Sequence, residues 1–108
     1  MKEIKAYIKA FKREAVTRAL HTIDGLDGAS FSNVLGFGRG KANSSGGLPD
    51  DDITGSSKHV KIEVVCEDAL EAKVVAAIQN AAFTGLRGDG RIFVSNVERG
   101  VRIQDMPE

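Results

Sequence analysis

The spacing of apolar residues changes between period two and the helical period, and the order of these changes restricts the folds open to the chain. From Ile4 to Ala10, apolar side chains alternate with polar ones, as in a half-buried strand. Beyond about Lys12 they recur every three or four residues, as in an amphipathic helix. The same change follows a second alternating stretch, His59–Cys66, so the pattern predicts two strand-to-helix units.

Two further strands complete the predicted fold, one near residues 29–37 and one at Ile92–Val97. The order β-α-β-β-α-β is that of a ferredoxin-like α+β sandwich, in which two helices cover one face of a four-stranded antiparallel sheet. The second face mixes apolar with charged residues, which favours self-association. Asp68 and Glu71 resemble a capping box for the second helix, and Gly25 is a predicted stop for the first. The length of 108 residues suits a single domain.

A glycine-rich segment, residues 84–91, precedes the last strand. Its glycines, at positions 85, 88 and 90, can adopt positive φ and allow the backbone to approach a ligand closely. Successive amides in such a turn can form a nest for an anion, and Arg87 and Arg91 supply matching charge. The segment predicts a phosphate-binding loop for a nucleotide. The alternative is a glycine-rich turn that binds no ligand.

The connection between the second and third strands is unusually long. Residues 38–58 are rich in glycine, contain the run Asp50–Asp52 and have few apolar side chains. Hairpin loops usually have about two to five residues, and longer ones are commonly functional. We predict a mobile recognition loop at 39–58, and the alternative is a tolerated insertion. The aspartates with His59 could bind a hard cation, but a solvated acidic tip is favoured, so no metal site is predicted.

Composition argues against several classes of function. Lysine plus arginine and aspartate plus glutamate are balanced at 15 each, so no basic field favours nucleic acid as a partner. No apolar run reaches the length of a membrane span. The single cysteine, Cys66, excludes an internal disulfide and is predicted to fill the core. Together with the missing membrane span, this predicts a cytoplasmic protein. No local motif suggests a catalytic triad, and no paired-carboxylate motif lies near the glycine-rich segment, so we predict a non-enzymatic protein without a prosthetic group.

Three segments together resemble the PII signal-transduction family: Gly36–Arg39, Lys61–Val65 and Thr84–Val97. The last of these matches the family's C-terminal signature, and the resemblance covers essentially the whole chain. The implied parts of this single PII-like domain, 1–108, are the mobile loop 39–58, the phosphate-binding loop 84–91 and the C-terminal segment 99–108.

The resemblance also implies an assembly and a ligand. Members form a homotrimer with a nucleotide in each cleft between neighbouring subunits. ATP and ADP would compete for this site, with AMP as a further candidate, and Mg²⁺ could accompany the nucleotide. The long loop would change conformation and dock on a target protein, either a transporter or an enzyme.

The residues that the resemblance implies for nucleotide binding come from both halves of the chain. Residues 88–91 would hold the phosphates, and Arg102 would reach them across the subunit boundary. Ser30 would lie near the adenine and ribose, and Glu63 and Val65 would flank the base. The full set is Ser30, Gly36, Gly38, Arg39, Glu63, Val65, Thr84, Gly88, Asp89, Gly90, Arg91, Phe93 and Arg102.

Several positions depart from the family's pattern. Gly40 replaces a glutamine that helps to hold magnesium and 2-oxoglutarate, and His59 replaces a lysine that pairs with 2-oxoglutarate, so standard 2-oxoglutarate sensing is not expected. Asp52 falls at the place of the uridylylated tyrosine, which excludes that modification. Gln104 replaces an arginine, which predicts lower phosphate affinity. The open alternatives are a sensor of bicarbonate or a metal ion, linked to carbon handling or metal efflux, and a weak nucleotide hydrolase that uses Asp89.

Overall fold

A computed structural model describes residues 1–36 and 57–107 of the chain. Within these residues, four strands and two α-helices occur in the predicted order, and the strands form one antiparallel sheet. The ferredoxin-like α+β fold is therefore confirmed. A short 3-10 turn precedes each helix. The elements are β1 (Lys2–Lys9), α1 (Arg13–His21), β2 (Ser30–Gly36), β3 (Ser57–Cys66), α2 (Glu71–Ala82) and β4 (Gly90–Asn96).

The strands lie side by side in the order β2-β3-β1-β4, with β3 and β1 in the centre. In β1, Ile4 pairs with Val64 on one side and with Val94 on the other. In β2, Phe31 pairs with Ile62. Residues that pair directly share one face of the sheet, so this register determines which side chains meet the helices.

The core lies between one sheet face and the two helices. The alternate residues of β3 that were predicted to share an apolar face are all buried, and so are their apolar partners on β1, Ile4, Ala6 and Ile8. The buried core consists of Ile4, Ala6, Ile8, Val16, Leu20, Val60, Ile62, Val64, Cys66, Val74, Ile78 and Ala82. Cys66 fills part of this core, as predicted, and burial raises the pKa of its thiol, which disfavours the reactive thiolate.

The helix ends differ from the sequence prediction. α2 begins at Glu71 after a 3-10 turn, and neither the turn nor the helix has a side-chain cap hydrogen bond. Asp68 instead accepts a hydrogen bond from the N-terminal ammonium of Met1 at 2.6 Å, which also lowers the pKa of Asp68, so the predicted capping box is wrong. α1 ends at His21, before the glycine at position 25 that was predicted to stop it.

The opposite face of the sheet is not covered by either helix, and we call it the open face. Charged and apolar side chains are mixed on it, and Val65 and Phe93 are about half exposed, at 48% and 50%. Its members on the two central strands and β4 are Glu3, Lys5, Tyr7, Lys9, His59, Lys61, Glu63, Val65, Arg91, Phe93 and Ser95. In the part of the chain that the structure describes, no helix has the length and apolar character needed to cross a membrane.

Candidate functional site

The segment between α2 and β4 has a shape that depends on glycine. Residues 84–91 form what we call the glycine loop. Gly85, Gly88 and Gly90 have φ angles of +82°, +77° and +113°. Among the described residues, none other than glycine has a positive φ. Residues with a side chain rarely adopt such angles, so replacing any of these three glycines would strain the loop backbone.

Gly90 brings the glycine loop against β1. A methyl group at this position would lie 1.7 Å from the backbone oxygen of Tyr7 and 2.7 Å from its carbonyl carbon. Gly90 pairs with Ile8, so the absence of a side chain allows the two strands to meet. The sequence predicts Gly90 as a phosphate-binding residue, and the close approach in the structure is to β1.

The carboxylate of Asp89 is the centre of the hydrogen bonds within the glycine loop. Its Oδ2 accepts from the backbone N–H of Thr84 at 2.8 Å and from that of Gly85 at 3.2 Å. Its Oδ1 accepts from the Thr84 hydroxyl. The oxygen of that hydroxyl in turn accepts from the Leu86 N–H at 3.0 Å. These bonds close the loop on itself and hold its backbone in place ahead of β4.

Lys9, the last residue of β1, joins this network from outside the loop. Its ammonium lies 3.2 Å from Asp89 Oδ1 and 3.4 Å from Thr84 Oγ1. The side chains of Lys9 and Asp89 are only 19% and 23% exposed, so the ion pair is partly shielded from solvent. Sequence reasoning missed Lys9 because its partners lie at the other end of the chain. The alternation of β1 indicates that Lys9 lies on the face of the sheet opposite the buried residues, but it does not indicate which residue Lys9 contacts.

Hydrogen bonds from the hydroxyl and the backbone of Thr84 hold the pKa of Asp89 well below its usual range, against an opposing effect of desolvation. Lys9 and the Gly85 amide lower it further. A carboxylate whose pKa is lowered by folding stabilises the folded state above its ordinary pKa of about 4. That contribution is lost as the pH falls below this value towards the lower pKa of the folded state.

We therefore expect the glycine loop to lose stability as the pH falls below about 4 and to open well below that value, where Asp89 is protonated. The amide proton resonances of Thr84 and Gly85, followed by NMR, should move together in one acid transition as their acceptor loses its charge. Asp89→Asn should abolish this transition. If the transition persists in Asp89→Asn, it does not arise from protonation of Asp89, and the expectation is wrong. The local readout is necessary because Asp68 also has a lowered pKa and contributes to acid unfolding of the whole chain.

The glycine loop presents positive charge and backbone donors. Arg87 and Arg91 are both exposed, and Arg91 lies on the open face beside Phe93. Among the described residues, the amides of Arg87 and Gly88 have no hydrogen-bond acceptor. Guanidinium groups and backbone amides recognise phosphate oxygens, so the arrangement suits a phosphorylated anion.

His59 connects the glycine loop with the beginning of β3. Its Nε2 lies 3.4 Å from the backbone oxygen of Gly88, and the residue pairs with Lys9 across the sheet. The contact is a hydrogen bond when Nε2 carries the proton. Two adjacent side chains of the open face, His59 and Lys9, therefore contact two consecutive residues of the loop, Gly88 and Asp89.

The residues predicted for the adenine side, Ser30, Glu63 and Val65, lie away from the glycine loop, unlike Phe93, which was also predicted to bind the nucleotide. Ser30 begins β2 and pairs with Glu63 of β3, and Val65 follows on the same strand and face. Phe93 lies in β4, at the opposite edge, where its ring contacts that of Tyr7 edge to face. Because neighbouring strands are about 4.8 Å apart, three strand spacings separate Ser30 from Phe93 by about 14 Å. Phe93 follows the glycine loop on β4, but one chain does not bring Ser30 together with that loop.

The remaining predicted residues lie near the ends of the described ranges or beyond them. Gly36 ends β2, whereas Gly38, Arg39 and nearly all of the predicted loop 39–58 lie outside the described residues. Arg102 belongs to an exposed C-terminal segment, and its guanidinium lies 3.8 Å from the carboxylate of the aspartate three residues later. Groups of three or more histidine, cysteine, aspartate or glutamate residues that could hold a metal are absent from the described part of the chain.

Comparison with known proteins finds similarity along nearly the whole chain. A family model described as Nitrogen regulatory protein P-II matches residues 1–106. The Nitrogen regulatory proteins P-II of Azospirillum brasilense and Rhodospirillum rubrum are each 44% identical to this chain over 104 residues. The protein of the same name from Rhizobium meliloti is 43% identical over 104 residues. Each alignment covers 96% of this chain and 92% of the relative.

Proposed function

This chain belongs to the P-II family of nitrogen regulatory proteins, and from that premise we propose that it senses an adenine nucleotide and relays its presence to a target protein. Members of the family are signal-transduction regulators and not enzymes, so the predicted non-enzymatic class is confirmed. The ligands we propose are ATP and ADP, with AMP as a third and Mg²⁺ as an accompanying ion. We place the protein in the cytoplasm.

The observation that carries this proposal is the closed glycine loop beside the open face. Asp89 and Lys9 hold its backbone, so the loop amides and the backbone that carries Arg87 and Arg91 are in place before a ligand arrives. A preorganised site loses less conformational entropy when it binds than a site that must first order itself. Phosphate groups are the ligands that match these donors and charges.

The position of the other predicted residues supports a site shared between subunits. Ser30, Glu63 and Val65 share the open face with Arg91 but do not reach the glycine loop of their own chain. Packing of the open faces in a homotrimer would bury the half-exposed apolar side chains and could place these residues beside the loop of a neighbour. We propose that each nucleotide lies in such a cleft, with Arg102 contributed across the boundary.

The contact between His59 and Gly88 provides a route from the nucleotide to the partner-binding segment. His59 is the third residue of β3, which begins at Ser57, and it follows the predicted loop 39–58 in the chain. A nucleotide that binds one arrangement of the glycine loop more tightly shifts the population towards that arrangement. Since His59 and Gly40 stand where the family has its 2-oxoglutarate ligands, we propose that this signal is not the standard response to 2-oxoglutarate. The target protein that responds to the signal would be a transporter or an enzyme.

Calorimetry tests the proposal directly. We expect saturable binding of ATP and ADP at one site per subunit, and sedimentation should report a trimer. The panel should include AMP, and each nucleotide should be titrated with and without Mg²⁺, 2-oxoglutarate and bicarbonate. If no adenine nucleotide binds, the proposal is wrong. Strong enhancement by 2-oxoglutarate would overturn the inference from His59 and Gly40. Binding of bicarbonate or a metal ion alone would support a different sensor.

Arg91→Ala should weaken ATP binding by about tenfold or more, because a charge-assisted hydrogen bond to phosphate is lost. Adenosine, which has no phosphate, should bind the variant and the wild type equally. Arg91→Lys should stay within about threefold of wild type because it keeps the charge. Arg18→Ala, at an exposed position of α1, is the matched control and should bind normally. Equal ATP affinity of Arg91→Ala and wild type would remove Arg91 from the site.

A further inference from the structure

An aspartate in the middle of a phosphate-binding loop presents an electrostatic problem. Asp89 lies between Gly88 and Gly90, close to the groups that we propose to contact phosphate, and its lowered pKa keeps it ionised at neutral pH. An uncompensated carboxylate there would repel a polyphosphate. A compensating cation has to come from outside the glycine loop, because Arg87 and Arg91 form no ion pair with Asp89 in the described residues.

Lys9 supplies that cation. Its ammonium lies 3.2 Å from Asp89 Oδ1, and less than a quarter of each side chain is exposed. The loop also lies over the aliphatic part of Lys9, since a methyl group at Gly88 would be 4.0 Å from Lys9 Cε. β1 is a central strand paired on both sides, so Lys9 extends from a rigid support.

We propose that Lys9 is a positioning residue for nucleotide binding: it neutralises Asp89 and ties the glycine loop to β1. In this arrangement Asp89 organises the loop from within and takes no part in contacting the ligand or a metal ion. The inference rests on the proposed function, since it concerns the same phosphate site. The competing possibility is that Lys9 itself contacts the phosphates, and its existing bonds to Asp89 and Thr84 argue against this.

A double-mutant cycle separates the two roles. Lys9→Met keeps the length of the side chain and removes its charge, which leaves Asp89 unpaired and should weaken ATP binding by about tenfold. If Lys9 acts through Asp89, then Lys9→Met with Asp89→Asn should restore the affinity to within about threefold of wild type, because no unpaired charge remains. Lys73→Met, at an exposed position of α2, is the matched control and should bind as wild type does.

Two calorimetric results would overturn the inference. One is wild-type affinity in Lys9→Met. The other is a double variant that binds as weakly as Lys9→Met although its Thr84 and Gly85 amides exchange as slowly as in wild type, which would make Lys9 a direct phosphate ligand. Amide exchange without ligand is therefore measured in both variants, since Asp89 also accepts the hydrogen bonds that close the loop. Amide exchange of Thr84 and Gly85 should be at least about fivefold faster in Lys9→Met than in wild type. Unchanged amide exchange in Lys9→Met would contradict the role of Lys9 in holding the loop, whether or not a nucleotide binds. Absence of nucleotide binding in the wild type would instead refute the proposed function.

Discussion

Gly90→Ala is expected to destabilise the folded chain by about 3 kcal/mol or more, since backbone strain and an overpacked contact each cost about 1–3 kcal/mol. The added methyl group would lie 1.7 Å from the Tyr7 oxygen. That atom belongs to the backbone of a central strand, so no side chain can rotate to relieve the contact. The φ of +113° adds strain of its own. Urea unfolding, followed by circular dichroism, measures the loss.

Gly28→Ala is the matched control for this change. Gly28 has no neighbouring atom within 4 Å of an added methyl group, and its φ is not in the positive range. Its replacement should change the free energy of unfolding by no more than about 0.5 kcal/mol. Equal stabilities of the two variants would show that β1 and β4 do not meet as described. In Gly90→Ala, ATP binding should fall as well, because the strand pairing that positions the glycine loop is lost.

The group that the Gly90 backbone approaches could not be identified from the sequence. From the glycine spacing we predicted that the backbone at this position approaches another group closely, and we expected that group to be a phosphate. The structure shows the backbone of Tyr7 at that place, while Gly85 and Gly88 provide the remaining turns. The identity of the approaching group depends on the pairing of β1 with β4, which joins opposite ends of the chain. Local spacing does not contain that information.

The predictable part of the fold is the part that depends on local periodicity. In β3, alternation alone identified Val60, Ile62, Val64 and Cys66 as one buried face, because successive side chains of a strand point to opposite sides. β2 was less clear because it is an edge strand, where most side chains remain exposed and little selects for alternation.

The contacts that the sequence did not reveal are those between distant charges. Lys9 pairs with Asp89, and Asp68 pairs with the N-terminus in place of capping its own helix. For Asp68 the sequence predicted a local partner, the capping box, and for Lys9 it predicted no partner. In both pairs the observed partner carries a full opposite charge, an ammonium group beside a carboxylate, which adds Coulomb attraction to the hydrogen bond.

Ile62→Ala is expected to cost about 2–5 kcal/mol of unfolding free energy, the usual range for removing a buried isoleucine side chain to its Cβ. Ile62 is 0% exposed and pairs with Ala6 on β1 and with Phe31 on β2. The cavity would therefore open at the centre of the sheet, under both neighbouring strands. Urea unfolding measures the loss, and ATP affinity should remain near wild type wherever the variant is still folded, because Ile62 faces away from the open face.

Ile103→Ala makes the same chemical change at a position that is 89% exposed in the single chain. Its effect on the unfolding of that chain should be within about 0.5 kcal/mol. The unfolding of both variants should be measured at several protein concentrations. A loss at Ile103 that changes with concentration would mean that the C-terminal segment packs on a neighbouring subunit, since only association makes stability concentration-dependent. The loss of unfolding free energy in Ile62→Ala should then have two parts, one from the core cavity that does not depend on protein concentration and one from subunit association that does. Similar, concentration-independent losses at both positions would contradict the burial that defines the core.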